Sequence, residues 1–453
     1  MEGSAQYIKC RPSEHAVSAP IGARLSRLVP SLLLAVAIAL LGGCQGRVLM
    51  PTPNLYVGSA TDPFANVPLA LQSAEVDLLY LTDRVPEEKH GRLEYSFGRS
   101  RSAAFGSCIV AIGRDIEWPE LAEQSRLRKR DRSLPLRVEV ITELGRLPET
   151  PLPLVERDGV VMQDPQVLER REELAEEFRN ELQRRLDLAP SNEVLLFVHG
   201  YNNSFEDAAM TLAELWHFLG RESVPVLYSW PAGHGGLKGY AYDRESGDFT
   251  LHHLKNALRF LASCPEVEGI HLLGHSRGTD ILISALRELF NESRAAGRDP
   301  RSEFRIKNLI LAAADIDFEV AAQKFGADRT DQGVQRLTLY VSPEDKALGI
   351  AGWLFDSVQR VGGLRYEDLP SKYEATRAIL KDTHIIDARG HTDFWGHSYF
   401  HSSPAVSSDL ILLLRHDFDP GAENGRPLER IGTMFWELPP DYPRFDRNGV
   451  NDE

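Results

Sequence analysis

The sequence predicts an α/β protein built on a mainly parallel central sheet, covered by helices on both faces. Three observations carry this expectation. Short, nearly continuous apolar runs rich in β-branched residues alternate with helix-length amphipathic runs from Val194 onward. A Gly-x-Ser-x-Gly turn, Gly274 to Gly278, stands where one such strand gives way to a helix. The composition, 42% hydrophobic and 26% charged, is that of a folded chain able to bury a large core.

Taken in order, the N-terminus comes first. Arg24 and Arg27 precede an uncharged apolar run from Leu28 to Leu41, which ends in Gly42-Gly43-Cys44. A membrane-spanning helix needs ~20 apolar residues, so this run is short for one. It has the length of a signal-peptide core. Leu41-Gly42-Gly43-Cys44 resembles a bacterial lipobox. That resemblance implies cleavage before Cys44 and lipidation of its thiol. Because Gln45 is not Asp, it also implies an outer-membrane anchor facing the periplasm. An ordinary signal peptide and an uncleaved anchor stay open as alternatives. Residues 1–43 are thus expected to be a signal peptide. Residues 44–74, rich in Pro, Gly, Asn and Thr, are expected to be a tether.

The folded domain is expected over residues 75–420, with 421–453 as a tail. Val76–Leu81 and Ser107–Ile112 read as the first strands. Glu117–Ser191 is long and polar and reads as an insertion, a lid or docking arm. Within it, Leu168, Leu174, Phe178 and Leu182 mark an amphipathic helix over Asp164–Leu186. Strands then follow at Val194–Val198, Val224–Trp230, Ile270–Leu273, Ile306–Ala312, Arg336–Val341 and Thr383–Ile386. Helices are expected at Ser204–Leu219, Phe249–Ala262, Arg277–Phe290, Phe318–Phe325 and Ser402–Leu414.

The Ser276 turn carries the chemistry. A tight strand-to-helix turn strains the serine backbone and lifts its hydroxyl to the carboxyl edge of the sheet, which is the α/β-hydrolase arrangement. The next N–H, that of Arg277, opens a helix and can face a developing oxyanion. A second oxyanion donor is expected from the loop after Val194–Val198, from Tyr201 or Asn202 in His199-Gly200-Tyr201-Asn202-Asn203. His199 itself is expected to hold that loop by hydrogen bonds. Chain order then asks for an acid and a histidine after the serine. Asp345, just past a strand end, is the chosen acid, with Glu344 beside it as a weaker candidate. Asp315 and Asp317 are the alternatives. His397, in a loop before the closing helix, is the chosen base. His391 and His401 are its alternates, and His384 reads as core. His391-x-Asp393 and His397-x3-His401 raise a metal reading, but a complete Ser-acid-His order makes one unnecessary. No metal or other cofactor is expected.

Six segments occur in order: Thr82-Asp83-Arg84 at the end of a strand, His199-Gly200-Tyr201-Asn202, Tyr228-Ser229-Trp230-Pro231, Tyr242-Asp243-Arg244-Glu245-Ser246, His275-Ser276-Arg277-Gly278 and His397-Ser398-Tyr399. With these the chain resembles the bacterial α/β-hydrolase family of unknown function, DUF900, over about residues 75–415. The resemblance implies the α/β-hydrolase fold and a Ser-Asp-His triad. It implies no substrate.

The function expected is therefore a serine hydrolase, cleaving a carboxylic ester or related acyl bond through an acyl-enzyme. An acyltransferase on the same triad, or a non-catalytic envelope-binding lipoprotein, are the alternatives. The expected partners are a small-molecule or lipid acyl substrate and, through Cys44, a membrane. A net charge of -15 without a long basic run disfavours nucleic acid. Trp230, Tyr240, Tyr242, Trp353, Phe355 and Trp395 fall in loops that could border an acyl pocket, or simply serve as core or rim. Cys108 and Cys264 could pair in an oxidising compartment or stand as separate thiols.

Overall fold

The computed structural model describes residues 47–59, 62–349, 359–368, 382–392 and 396–444. The apolar runs become strands β1 (Glu75–Lys89), β2 (Arg92–Ile112), β3 (Leu136–Arg146), β4 (Leu154–Arg157), β5 (Val160–Gln163), β6 (Glu193–Val198), β7 (Val224–Ser229), β8 (Gly269–His275), β9 (Ile306–Ala312), β10 (Val334–Val341), β11 (Thr383–Asp387), β12 (Glu429–Arg430) and β13 (Phe435–Glu437). All but β4 and β5 join one sheet, in the order β12-β13-β11-β10-β9-β8-β6-β7-β1-β2-β3. From β1 across to β13 every neighbouring pair is parallel. Antiparallel strands close both margins.

The sheet is covered on both faces, as the unbroken apolar runs require. Along β6, Val194, Leu196 and Val198 enter one core while Leu195 and Phe197 enter the other. Helices α1 (Pro165–Leu186), α3 (Gly236–Ser263) and α4 (Arg277–Ala295) cover the first face, through Phe178, Leu258 and Leu286 among others. Helices α2 (Phe205–Phe218) and α5 (Pro404–Leu414) cover the second, through Leu212, Trp216 and Leu410. The starts are chemically specified. Ser204 and Asp207 form a reciprocal capping box before α2, and Asp164 and Ser403 cap α1 and α5. In register, Thr82 pairs with Ser229, Val198 with Tyr228 and Gly274, His275 with Ala312, and Val341 with Asp387. These residues mark one carboxyl edge, from which the loops bearing the motifs extend.

Four expectations are corrected. Residues 117–191 are not a separable insertion. β3 supplies the partner that the edge of β2 would otherwise lack, and α1 buries Leu174, Phe178 and Leu182. The β4–β5 hairpin is what stands off the body, with Leu154 66% and Val161 64% exposed. Within the expected tether 44–74, the described residues from Val48 onward are not loose, since Leu49, Met50, Tyr56, Phe64 and Val67 are buried on the second face. Leu49 donates its N–H to Leu134 and Val48 bridges Pro135. Residues 421–444 are not a tail: they add β12 and β13 and bury Arg426 and Tyr442. Finally, β1 and β2 run far past their expected ends as a long hairpin. The strand passes the polar Asp83-Arg84 pair because the buried guanidinium finds carbonyl acceptors at Ala232 and Asn203.

Cys108 and Cys264 are separate buried thiols, one in each core. Among the described residues no helix is long and apolar enough to cross a membrane. Residues 1–43 and Cys44 lie outside the described residues, as do Trp353, Phe355, Asp393 and Trp395.

Candidate active site

Ser276 links β8 to α4 with φ 51° and ψ -122°, a left-handed backbone rare for a side chain without special support. That support is visible. Its N–H donates to Ala312 O (2.9 Å), and its carbonyl accepts from Thr279 (3.1 Å) and Asp315 (3.3 Å). The turn is also crowded. A Cβ on Gly278 would lie 2.3 Å from His199 O, and one on Gly200 would lie 2.8 Å from Ser276 Cβ. Glycine at these positions lets α4 and the loop after β6 close against the serine.

His397 stands over this turn. Its Nε2 lies 2.8 Å from Ser276 Oγ, and its Nδ1 lies 2.7 Å from Asp345 Oδ2. The pattern fits a neutral imidazole that donates from Nδ1 to Asp345 and accepts the serine hydroxyl at Nε2. Asp345 is buried, and its second oxygen accepts from Leu348 N (3.0 Å). His275, which the motif left as filler, holds the backbone here. Its Nε2–H donates to the His397 carbonyl (3.0 Å), and its ring packs 4.6 Å from Phe400. Burial, then the neighbouring His397, pushes His275 well below the usual histidine range, so it is neutral.

The start of α4 and the loop after β6 bring the candidate oxyanion donors. The N–H of Arg277 begins α4, and that of Tyr201 follows Gly200. Among the described residues neither meets an acceptor. Asn202, the other expected donor, is corrected: its N–H donates to Asp243 Oδ2 (3.2 Å), which also accepts from Gly233 N. His199 braces the loop. It stacks on Trp230 at 5.4 Å, donates from Nδ1 to Gly200 O (2.9 Å) and accepts Trp230 N–H at Nε2 (3.1 Å). Burial, and then Arg84, lowers it to about 3, so it too is neutral. Arg84 ties the same region together by donating to Ser229 Oγ, Ala232 O and Asn203 O. Burial brings its guanidinium down to about 10.

A family model described as an alpha/beta hydrolase of unknown function, DUF900, matches residues 174–415. The chain belongs to that family. The match runs from within α1 to just past α5, and so spans Ser276, Asp345 and His397. A comparison with curated proteins found no match.

In this DUF900 member the alternative residues lie elsewhere. Asp315 accepts from Tyr240 OH (2.7 Å), and Asp317 caps a short helix at Glu319 and Val320. Glu344 accepts from Gly390 N and Thr392 Oγ1. His391 donates to Leu438 O, and His401 pairs with Glu214 at 3.0 Å. His384 lies on β11, half-buried. Of the aromatic candidates, Trp230 is fully buried core, Tyr242 lies under Arg99 (4.3 Å), and Tyr240 faces Asp315.

Proposed function

We propose that the protein is a serine hydrolase cleaving a carboxylic ester or a related acyl bond through an acyl-enzyme. The observation that carries this reading is the unbroken hydrogen-bonded chain from Ser276 Oγ through His397 to Asp345. Ser276 Oγ attacks the acyl carbonyl carbon while His397 Nε2 takes its proton. The C–O bond to the leaving group breaks, and His397 returns the proton to the departing oxygen. Water then attacks the acyl-serine with His397 again as base, releasing the acid and restoring Ser276. Asp345 orients the imidazole through its bond to Nδ1. The N–H groups of Arg277 and Tyr201 are the donors for the oxyanion. The turn does not itself select ester over thioester or amide.

The test is covalent labelling with a fluorophosphonate probe, followed by 4-nitrophenyl ester turnover. Wild type should label, and Ser276→Ala should not. Asp345→Asn should reduce turnover by roughly a thousandfold or more, far beyond Asp315→Asn or Asp317→Asn. Labelling that survives Ser276→Ala would overturn the assignment.

A further inference from the structure

A cavity of about 380 Å³ adjoins the Ser276 turn, and three arginines line it: Arg244, Arg277 and Arg360. Its walls connect directly to the reacting residues. Arg277 follows Ser276 in the chain, and Ile316 follows Asp315, whose N–H donates to the Ser276 carbonyl. On the opposite side, the Tyr240 ring lies 5.4 Å from that of Tyr201 in the oxyanion loop.

The donors here are only partly engaged. Arg277 is buried and pairs with Asp280 through Nη2 (3.1 Å), yet its Nε has no hydrogen-bond partner. Arg360 Nε is likewise buried without one; Asp315 Oδ1, itself unbonded, sits 3.5 Å away, in ion-pair range but beyond hydrogen-bond geometry. Arg244 is exposed and has no ion-pair or hydrogen-bond partner among the described residues. The carboxylates at the cavity are largely engaged. Asp280 is held between Arg277 and Lys324 (2.6 Å), and Asp317 caps its helix, while Asp248 is exposed. Protein acceptors thus do not saturate the guanidinium groups of Arg277 and Arg360, and with the exposed Arg244 they leave donor capacity at this cavity for an acceptor that arrives with a ligand. Guanidinium groups suit the planar or tetrahedral oxygens of a carboxylate or phosphate.

We infer that this cavity binds an anionic group, carboxylate or phosphate, on the acyl substrate, held by Arg244, Arg277 and Arg360. As a statement about substrate, this rests on the serine-hydrolase reading; as an anion site, it does not. It also narrows the substrate from any acyl compound to one carrying an oxyanion within reach of the scissile carbonyl.

The experiment compares kcat/KM for 4-nitrophenyl butyrate with mono-4-nitrophenyl glutarate and with 4-nitrophenyl 3-phosphonopropanoate, using the full chain. The anionic esters should be preferred by about tenfold or more, since hydrogen bonds to charged groups are worth that much. Arg244→Ala and Arg360→Gln should each cut that ratio by about tenfold, while the remote Arg170→Ala should leave it intact. In parallel, calorimetry on Ser276→Ala protein follows binding of glutarate and of inorganic phosphate, which separates the two anion chemistries. Binding that weakens in Arg244→Ala supports the anion site even if no ester is hydrolysed, in which case the hydrolase reading alone fails. Turnover of neutral esters without anionic preference, or a preference indifferent to both arginines, overturns the inference and leaves the hydrolase reading standing.

Discussion

Individual side chains in this protein hold ionisation states that burial, more than charge, decides. Asp83 is the clearest case. It is fully buried beside Arg84, and Thr250 faces it, yet neither carboxylate oxygen meets full hydrogen-bond geometry. Burial outweighs the pull of Thr250 and Arg84 and raises it from 3.8 to about 7. The sign of the consequence follows from proton counting. Between pH 3.8 and about 7 the folded chain keeps a proton that the unfolded chain releases, so the Asp83 contribution to stability falls as pH rises. Above that window the full penalty is present, at most about 4 kcal/mol. Asp83→Asn should therefore gain stability relative to wild type as pH rises from 4.5 to 8. Thermal unfolding of both proteins at several pH values checks this, and a difference that does not change with pH would refute it.

At the scale of elements, the approach of α4 to the loop after β6 controls the reactive turn. A Cβ on Gly278 would meet two backbone carbonyls, His199 O at 2.3 Å and Val198 O at 2.5 Å. Backbone cannot rotate aside as a side chain can, so the helix would have to lift. Gly278→Ala should cost about 1–3 kcal/mol from overpacking. It should also slow fluorophosphonate labelling by tenfold or more, because Ser276 moves with the first turn of α4. Denaturant unfolding and labelling rates measure the two effects, and unchanged labelling would show that the contact does not set the geometry. The amphipathic spacing of Leu174, Phe178 and Leu182 made α1 legible. That β3 belongs to the central sheet was not legible, because an edge strand exposes polar residues and looks like a loop.

Across the whole molecule, segments distant in sequence complete the sheet and its covering. Arg426, beyond the expected end of the domain, is fully buried against Asp409 of α5 through Nε (2.8 Å) and Nη2 (2.6 Å). Tyr340 of β10 donates to the same carboxylate (2.6 Å), as does Tyr442. Removing one partner of a buried ion pair leaves an uncompensated charge, whereas removing both need not. Arg426→Met should destabilise by about 3–5 kcal/mol, and Arg426→Met with Asp409→Leu should recover part of that. Urea unfolding of the two variants decides it. Equal losses would mean that packing at the C-terminal segment, not the charge pair, dominates.

By itself the sequence determined what local pattern can encode. The order of strands and helices was readable, because periodicity and capping residues act within a few positions. The Ser276 turn, and Asp345 and His397 as its candidate partners, were readable because chain order constrains them. Only the tertiary structure decided which acid meets His397. Asp315 and Asp345 both follow strand ends, and what separates them is that Asp315 meets Tyr240 while Asp345 meets the histidine. It also decided that Asp243 occupies Asn202, that His275 supports His397, and that the described residues of 48–74 and residues 421–444 pack onto the domain. Each of these depends on contacts between residues far apart in the chain, and no local spacing in a single sequence records them.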